Sequence, residues 1–307
     1  MTHYITFNPK SNHPVYQKIF PTMAPSCRNC KRVKYEFDIR EKFIDACANN
    51  ELEKVIACCG SLGLEVNTVS EDGESGLRTA VNNNSEDVVA WLLAQPEIEV
   101  NIVTNGITAL MAACCDLVHP DIVRRLAQAP GVDLNWQDNE LGLTAAHSAA
   151  ETSNGCVEVL ARVPGVDWNK KDNDGRTPLH WALSCGNIDS ARTILAIPGV
   201  DYRVRANDGR TLAHAAVCRF GASVEFVELL LGVEEVEWND KDVEGDTPLM
   251  KALKRSKFDI VKVLLQSPRV DVTIADIEGR TPEIWARLAT FITFDDCNIN
   301  YQGEQYT

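Results

Sequence analysis

Three histidines, His147, His180 and His214, stand 33 and 34 residues apart. Imidazoles in such a register suggest a ladder of metal ligands or general bases, because histidine changes charge near neutral pH. A nucleophilic site needs a Ser, Cys or Asp that recurs with its base, and none is evident. Cys27-x-x-Cys30 offers two thiolates at zinc spacing. A tetrahedral site takes four ligands, and the nearest further candidates are His13 and Cys47, so the pair is incomplete. Redox use of the same pair needs a βαβ surround that the sequence lacks. There is neither a phosphate-cradling glycine loop nor a His-Glu-x-x-His helix. These residues point away from an enzyme, and no cofactor, metal or small-molecule substrate is expected.

The elements that hold these residues come from a chain of 307 residues with 45% hydrophobic and 24% charged side chains. That composition suits a folded domain rather than a disordered one. No run of about 18 apolar residues is present, so no membrane-spanning helix is expected. The eleven cysteines are odd in number and fall within helical patterns, as at Cys114, Cys115, Cys156, Cys185 and Cys218. Such usage fits a reducing compartment, cytoplasm or nucleus. Net charge is -14, yet residues 1–37 carry six Lys/Arg against Glu36 alone. The remainder is strongly acidic and would repel a phosphate backbone, so nucleic acid is not an expected partner. The basic segment 1–37 reads as a flexible extension, able to fold back on its acidic neighbour.

A repeat organises everything beyond it. Gly73, Gly106, Gly142, Gly175, Gly209, Gly245 and Gly279 are separated by 33, 36, 33, 34, 36 and 34 residues. Two residues after each comes Ser75, Thr108, Thr144, Thr177, Thr211, Thr247 or Thr281, and five further on an alanine, from Ala80 to Ala286. Asp-Gly or Glu-Gly marks a tight turn, since glycine takes positive φ without steric cost. The hydroxyl that follows caps a helix, and Pro178, Pro248 and Pro282 occupy its first position, where a missing N–H is no loss. The alanine lets two helices approach closely. A second apolar helix follows, then a loop of the form Pro-Gly-Val-Asp at 130–133, 164–167 and 198–201.

The stretch Gly175-Arg176-Thr177-Pro178-Leu179-His180-Trp181-Ala182 resembles the ankyrin repeat, whose signature is Gly-x-Thr-Pro-Leu-His-x-Ala. Gly245 to Ala252 follows it with Met250 at the histidine position, whereas Arg78, Met111 and Ile284 depart from it there. The resemblance covers residues 38–294 and implies an all-α solenoid of seven to eight helix–turn–helix units joined by β-hairpin-like loops. The first unit, from Phe43 to Leu52, and the last, from Gly279, are degenerate, as end units are. Residues 295–307 read as a polar tail. The resemblance also makes the recurrent histidine a structural bridge between neighbouring loops. It marks Asn101, Asn135, Asn169 and Asn239 as loop asparagines, expected to bond within their own loops.

What the resemblance implies of function is a non-enzymatic scaffold or adaptor, monomeric, binding another protein on a concave surface of hairpins and first helices. A direct inhibitor that sequesters one enzyme or transcription factor is the alternative. Residues that repeat in register hold the stack, so those that vary are free to specify a partner. The candidate contacts are Asp174, Arg176, Trp181, Asn207, Arg210, Arg219, Phe220, Glu244, Asp246, Lys254 and Arg255. Trp168, Tyr202 and Trp238 share one repeat position with Val100, Leu134 and Val272, which makes it a packed one.

Overall fold

The computed structural model describes residues 39–115, 120–152, 155–218 and 223–288. The Cys27–Cys30 pair, the basic segment 1–37, the tail 295–307 and the candidates Arg219 and Phe220 lie outside them. The described chain is helical, and its only β pairings are two isolated bridges, Val69 with Ser75 and Thr104 with Ile107. None of its helices is long and apolar enough to cross a membrane.

Two compact units divide the chain between Trp136 and Gln137. The first holds α1 (39–48), α2 (Leu52–Gly60), α3 (Gly76–Asn82), α4 (Glu86–Leu93), α5 (Ala109–Cys115) and α6 (Pro120–Ala127). Here α3 packs on α5, while α4 packs on both α2 and α6. The second unit holds α7 (Ala145–Glu151), α8 (Cys156–Leu160), α9 (Pro178–Cys185), α10 (Ile188–Leu195), α11 (Leu212–Cys218), α12 (Val224–Leu231), α13 (Pro248–Lys254), α14 (Phe258–Gln266) and α15 (Pro282–Leu288). Within it the first helices of the repeats, α7, α9, α11, α13 and α15, pack one on the next. The second helices, α8, α10, α12 and α14, form a parallel row behind them.

The alanine period explains the first row. Ala80, Ala113, Ala149, Ala182, Ala216, Ala252 and Ala286 are all at most 2% exposed, small side chains buried on the first helices. The second row buries apolar side chains at adjacent and fourth positions, as with Phe226, Val227 and Leu230 or Ile260, Val261 and Leu264. Trp168 and Trp238 are buried with them, and the Tyr202 hydroxyl donates to Leu195 O at 2.8 Å. Burial pushes the Cys47 thiol up to about 12, which keeps it a protonated, space-filling side chain.

Ser75, Thr108 and Thr247 accept the N–H three residues on, at 3.2, 3.4 and 3.4 Å. Arg269 replaces the glycine of the Pro-Gly-Val-Asp loop. Its guanidinium donates to the carbonyls of Leu231, Val233, Glu234 and Val236 at 2.5–3.0 Å, satisfying the carboxyl end of α12 with a cation.

Gly175 turns at φ +77°, and a β-carbon there would sit 2.6 Å from Asn207 Oδ1 and 3.0 Å from Asn207 N of the next hairpin. Gly175→Ala should therefore lose about 1–3 kcal/mol, combining left-handed strain with the clash. Urea unfolding measures it, and a loss under a few tenths would mean that the neighbouring hairpin simply yields.

Candidate protein-interaction surface

An aspartate does recur in the repeat, three residues before the turn glycine, but as an anchor instead of a nucleophile. Asp172 Oδ1 accepts the backbone N–H groups of Asp174 and Arg176 at 2.9 and 2.7 Å, closing the hairpin around itself. Asp242 does the same for Glu244 and Asp246, and Asp276 for Glu278 and Arg280. Each of these carboxylates is at most 7% exposed. The second oxygen takes a donor from the first helix, nine residues on. Trp181 Nε1 reaches Asp172 Oδ2 at 2.8 Å, and Trp285 Nε1 reaches Asp276 Oδ2 at 2.9 Å. Lys251 Nζ lies 2.8 Å from Asp242 Oδ2. In the remaining repeat of this series the hairpin position is Ala206 and the helix position Ala215, so acid and donor are lost together.

The histidines link hairpins. His147 Nδ1 accepts from Thr144 N at 3.1 Å, which leaves Nε2–H to donate to Arg176 O of the following hairpin at 3.1 Å. His214 bonds Thr211 N and Asp246 O likewise, at 3.2 and 2.9 Å. The bridging role that the resemblance implied holds for both. His180 keeps its bond to Thr177 N at 3.3 Å, but its Nε2 has no partner. Burial lowers the affinity of all three imidazoles for protons, taking His180 to about 4. Arg78, at the histidine position of its own repeat, donates from Nη1 to the Thr104 carbonyl, reaching the next hairpin with a different side chain.

The loop asparagines differ from expectation. Asn101, Asn169 and Asn239 reach the following loop, donating to Gly131, Gly199 and Arg269 carbonyls at 2.7–2.9 Å. Each accepts from Asp133, Asp201 or Asp271 N at 2.8 Å. A side-chain amide has one donor and one acceptor face, and both are spent on the neighbouring backbone.

Against this frame the candidate contacts separate. Asp174 and Arg176 pair at 3.3 Å on one hairpin, with the aspartate 65% exposed. Trp181 is half-buried, its ring held by the Asp172 bond. Arg210 pairs with Asp208 at 3.3 Å. Asn207 donates to Asn173 O at 2.8 Å and so serves the stack. Glu244 is exposed, 2.5 Å from Lys251. Asp246 is fully buried and receives Lys254 at 2.5 Å, so its carboxylate positions that lysine and cannot itself touch a partner. Lys254 Nζ and the Arg280 guanidinium lie over the Trp285 ring, 4.6 and 4.3 Å from its centre. Arg255 turns away to the Cys218 carbonyl.

Lys251 is the electrostatic centre of this group. Burial pulls its pKa down, but hydrogen bonds to Asp242, Glu244 and Asp246 outweigh that and raise it above the usual lysine value. Burial likewise opposes ionisation of Asp242, and the bonds from Lys251 and Asp246 N overcome it, holding the carboxyl below its usual range. Asp276 balances in the same sense, through Arg280, Trp285 and Glu278. Among the described residues no group of three or more His, Cys, Asp or Glu side chains is placed to hold a metal.

Comparison with known proteins agrees with this geometry. The family described as ankyrin repeats, in three copies, matches residues 43–138, 114–206 and 212–290. The chain belongs to the ankyrin-repeat family. No curated protein matches its sequence. Among solved structures it is similar to the ankyrin repeat domain of Bcl-3, titled a unique member of the IkappaB protein family. The two are 28% identical with a TM-score of 0.62, over 70% of this chain and 94% of that one. Because 552 chains of solved structure match, the likeness fixes the architecture and leaves the partner open. The chain carries a protein-interaction scaffold.

Two measurements check the electrostatics. Below pH 6.5, the ordinary histidine value, the unfolded chain binds protons that the fold refuses at the three imidazoles. Stability should therefore fall as pH drops from 6.5, the His180 share ceasing below about 4. The depressed carboxyls of Glu244, Asp242 and Asp276 begin to cost stability as pH approaches their unfolded values of 4.5 and 3.8, so melts between about pH 7.5 and 5.5 isolate the histidines. His180→Asn should flatten the curve, and an unchanged slope would exclude His180 as its source. Lys251→Met should cost about 3 kcal/mol in urea unfolding, because it strands buried carboxylates. A loss below about 1 kcal/mol would mean that Lys254 and the backbone N–H groups suffice.

Proposed function

We propose that this chain is a non-enzymatic scaffold or adaptor whose second unit receives a partner protein along its hairpins and first helices. One observation carries the reading. The Thr, Asn and hairpin Asp side chains that hold the stack, with His147 and His214, are consumed by bonds within it, while Arg176, Trp181, Arg210, Glu244 and Lys254 keep part of their surface in solvent. They are nonetheless held in fixed positions by those bonds. Trp181 supports it most directly, since the Asp172 bond fixes its indole while part of the ring stays in solvent. A large aromatic ordered before binding loses little entropy on contact.

Affinity capture with the wild type and with an Arg176→Ala/Trp181→Ala/Arg210→Ala variant tests the reading. A protein held by wild type should be lost from the folded variant, by about tenfold or more in affinity. Equal retention by both would remove these residues from the site. Valency then separates the roles: a scaffold holds two partners at once, a sequestering inhibitor one.

A further inference from the structure

The hairpins before Gly245 and Gly279 break a rule kept by the two before them. Asn173 donates its side-chain amide to Glu140 O at 3.0 Å, and Asn207 donates to Asn173 O at 2.8 Å. Each tip is thus tied to the preceding tip. The corresponding residues in the next two repeats are Val243 and Ile277, which have no side-chain amide to give, although Val243 N still donates to Asp208 O at 3.0 Å. They are 70% and 77% exposed, more than any other large hydrophobic among the described residues. Ile277 also leans over the neighbouring hairpin, so close that a β-carbon on Gly245 would strike its Cγ2. Single exposed aliphatics are ordinary on protein surfaces. Two at one register position of consecutive repeats, standing where the two repeats before them place a bonding amide, present apolar surface to solvent.

The segment that leads into the first of these tips is acidic, although Arg210, Lys251, Lys254 and Arg280 pair with acids of the two hairpins. From Glu234 to Asp246 seven acidic residues accompany a single lysine, Lys241. Asp242 and Asp246 are buried against Lys251, and Asp240 pairs with Arg205. Glu235 and Glu237 remain exposed, Glu244 is exposed while bonded to Lys251 at 2.5 Å, and Glu278 of the next hairpin is exposed beside its partner Arg280. An apolar centre with a charged rim is the anatomy of a recognition surface, and an acidic rim selects a cationic ligand.

We propose that Val243 and Ile277 dock a basic segment of a partner protein, two of its aliphatic side chains covering the patch while its Lys or Arg residues meet the glutamates. This rests on the interaction-surface reading above and names the partner chemistry for one end of it. The segment supplies the apolar cover that the two tips lack, and its cations set the approach through the acidic field.

The test is selection of a displayed random-peptide library on the full chain, followed by affinity measurement of the enriched peptides. Enriched sequences should combine an aliphatic pair with flanking Lys or Arg. Val243→Asn/Ile277→Asn should weaken them at least about tenfold, as loss of a central apolar contact does. That variant should melt no lower than wild type, because Asn173 and Asn207 already show asparagine bonding at this position. Glu235→Gln/Glu237→Gln should reduce the salt dependence of binding. Peptides that keep their affinity for the Val243/Ile277 variant but lose it on Arg176→Ala/Trp181→Ala would overturn this inference and leave the interaction surface standing. Peptides indifferent to both variants would overturn both, and enrichment of acidic sequences would overturn the charge assignment. A gain of about tenfold on Lys31→Gln/Arg32→Gln/Lys34→Gln would show the chain's own basic segment seated there in place of a partner.

Discussion

The hairpins around Gly142, Gly175, Gly209 and Gly245 are joined, each to the next, by donors that end on a backbone carbonyl. At His147 and His214 the donor is a neutral imidazole, and this single bond constrains a good deal around it. It requires the Nε2–H tautomer, which requires that Nδ1 accept, which requires the threonine N–H at the start of the helix to face the ring. Helix start, hairpin and next repeat are thereby fixed by one side chain. Burial keeps the ring neutral, and neutrality keeps the arrangement intact. At the His180 junction the histidine bridge is absent, and Asn207 and Lys171 carry the bonds to neighbouring carbonyls instead. The same junction leads into the hairpin where Ala206 stands in place of the anchoring aspartate.

Much of the architecture was legible from residues that are identical in each repeat. Gly, Thr and Ala at fixed offsets serve backbone geometry, which does not vary between repeats, so their positions give the helices and turns directly. The aspartate and its donor were not legible in the same way. The carboxylate is constant in three repeats, but its partner is Trp181, Lys251 or Trp285, and only a shared hydrogen-bond acceptor unites those types. Arg78 escaped for a related reason: a guanidinium reaches the carbonyl that an imidazole reaches elsewhere.

The surface residues were legible only as exceptions to the pattern. Variation flagged Trp181 and Arg176, although Trp181 recurs as Trp285 and Arg176 as Arg210 and Arg280. It flagged Asp246 as well, though that carboxylate is buried beneath Lys254, because depth does not register in a one-dimensional alignment of turns. Val243 and Ile277 went unremarked, since an aliphatic residue in a sequence is ordinarily assigned to the interior. Their exposure became informative only beside Asn173 and Asn207, whose amides show what the position does when it serves the stack.

Bonds between repeats and bonds inside a repeat follow different rules. The histidine and asparagine bridges end on peptide groups, which every residue supplies whatever its side chain. The aspartate and its indole or ammonium donor sit nine residues apart in a single unit. A repeat copied or moved by recombination would carry its own acid–donor pair intact and would find a usable carbonyl on whatever neighbour it met. The array can thus be lengthened or reshuffled without co-ordinated change elsewhere, leaving the outward-facing side chains as the part free to diverge.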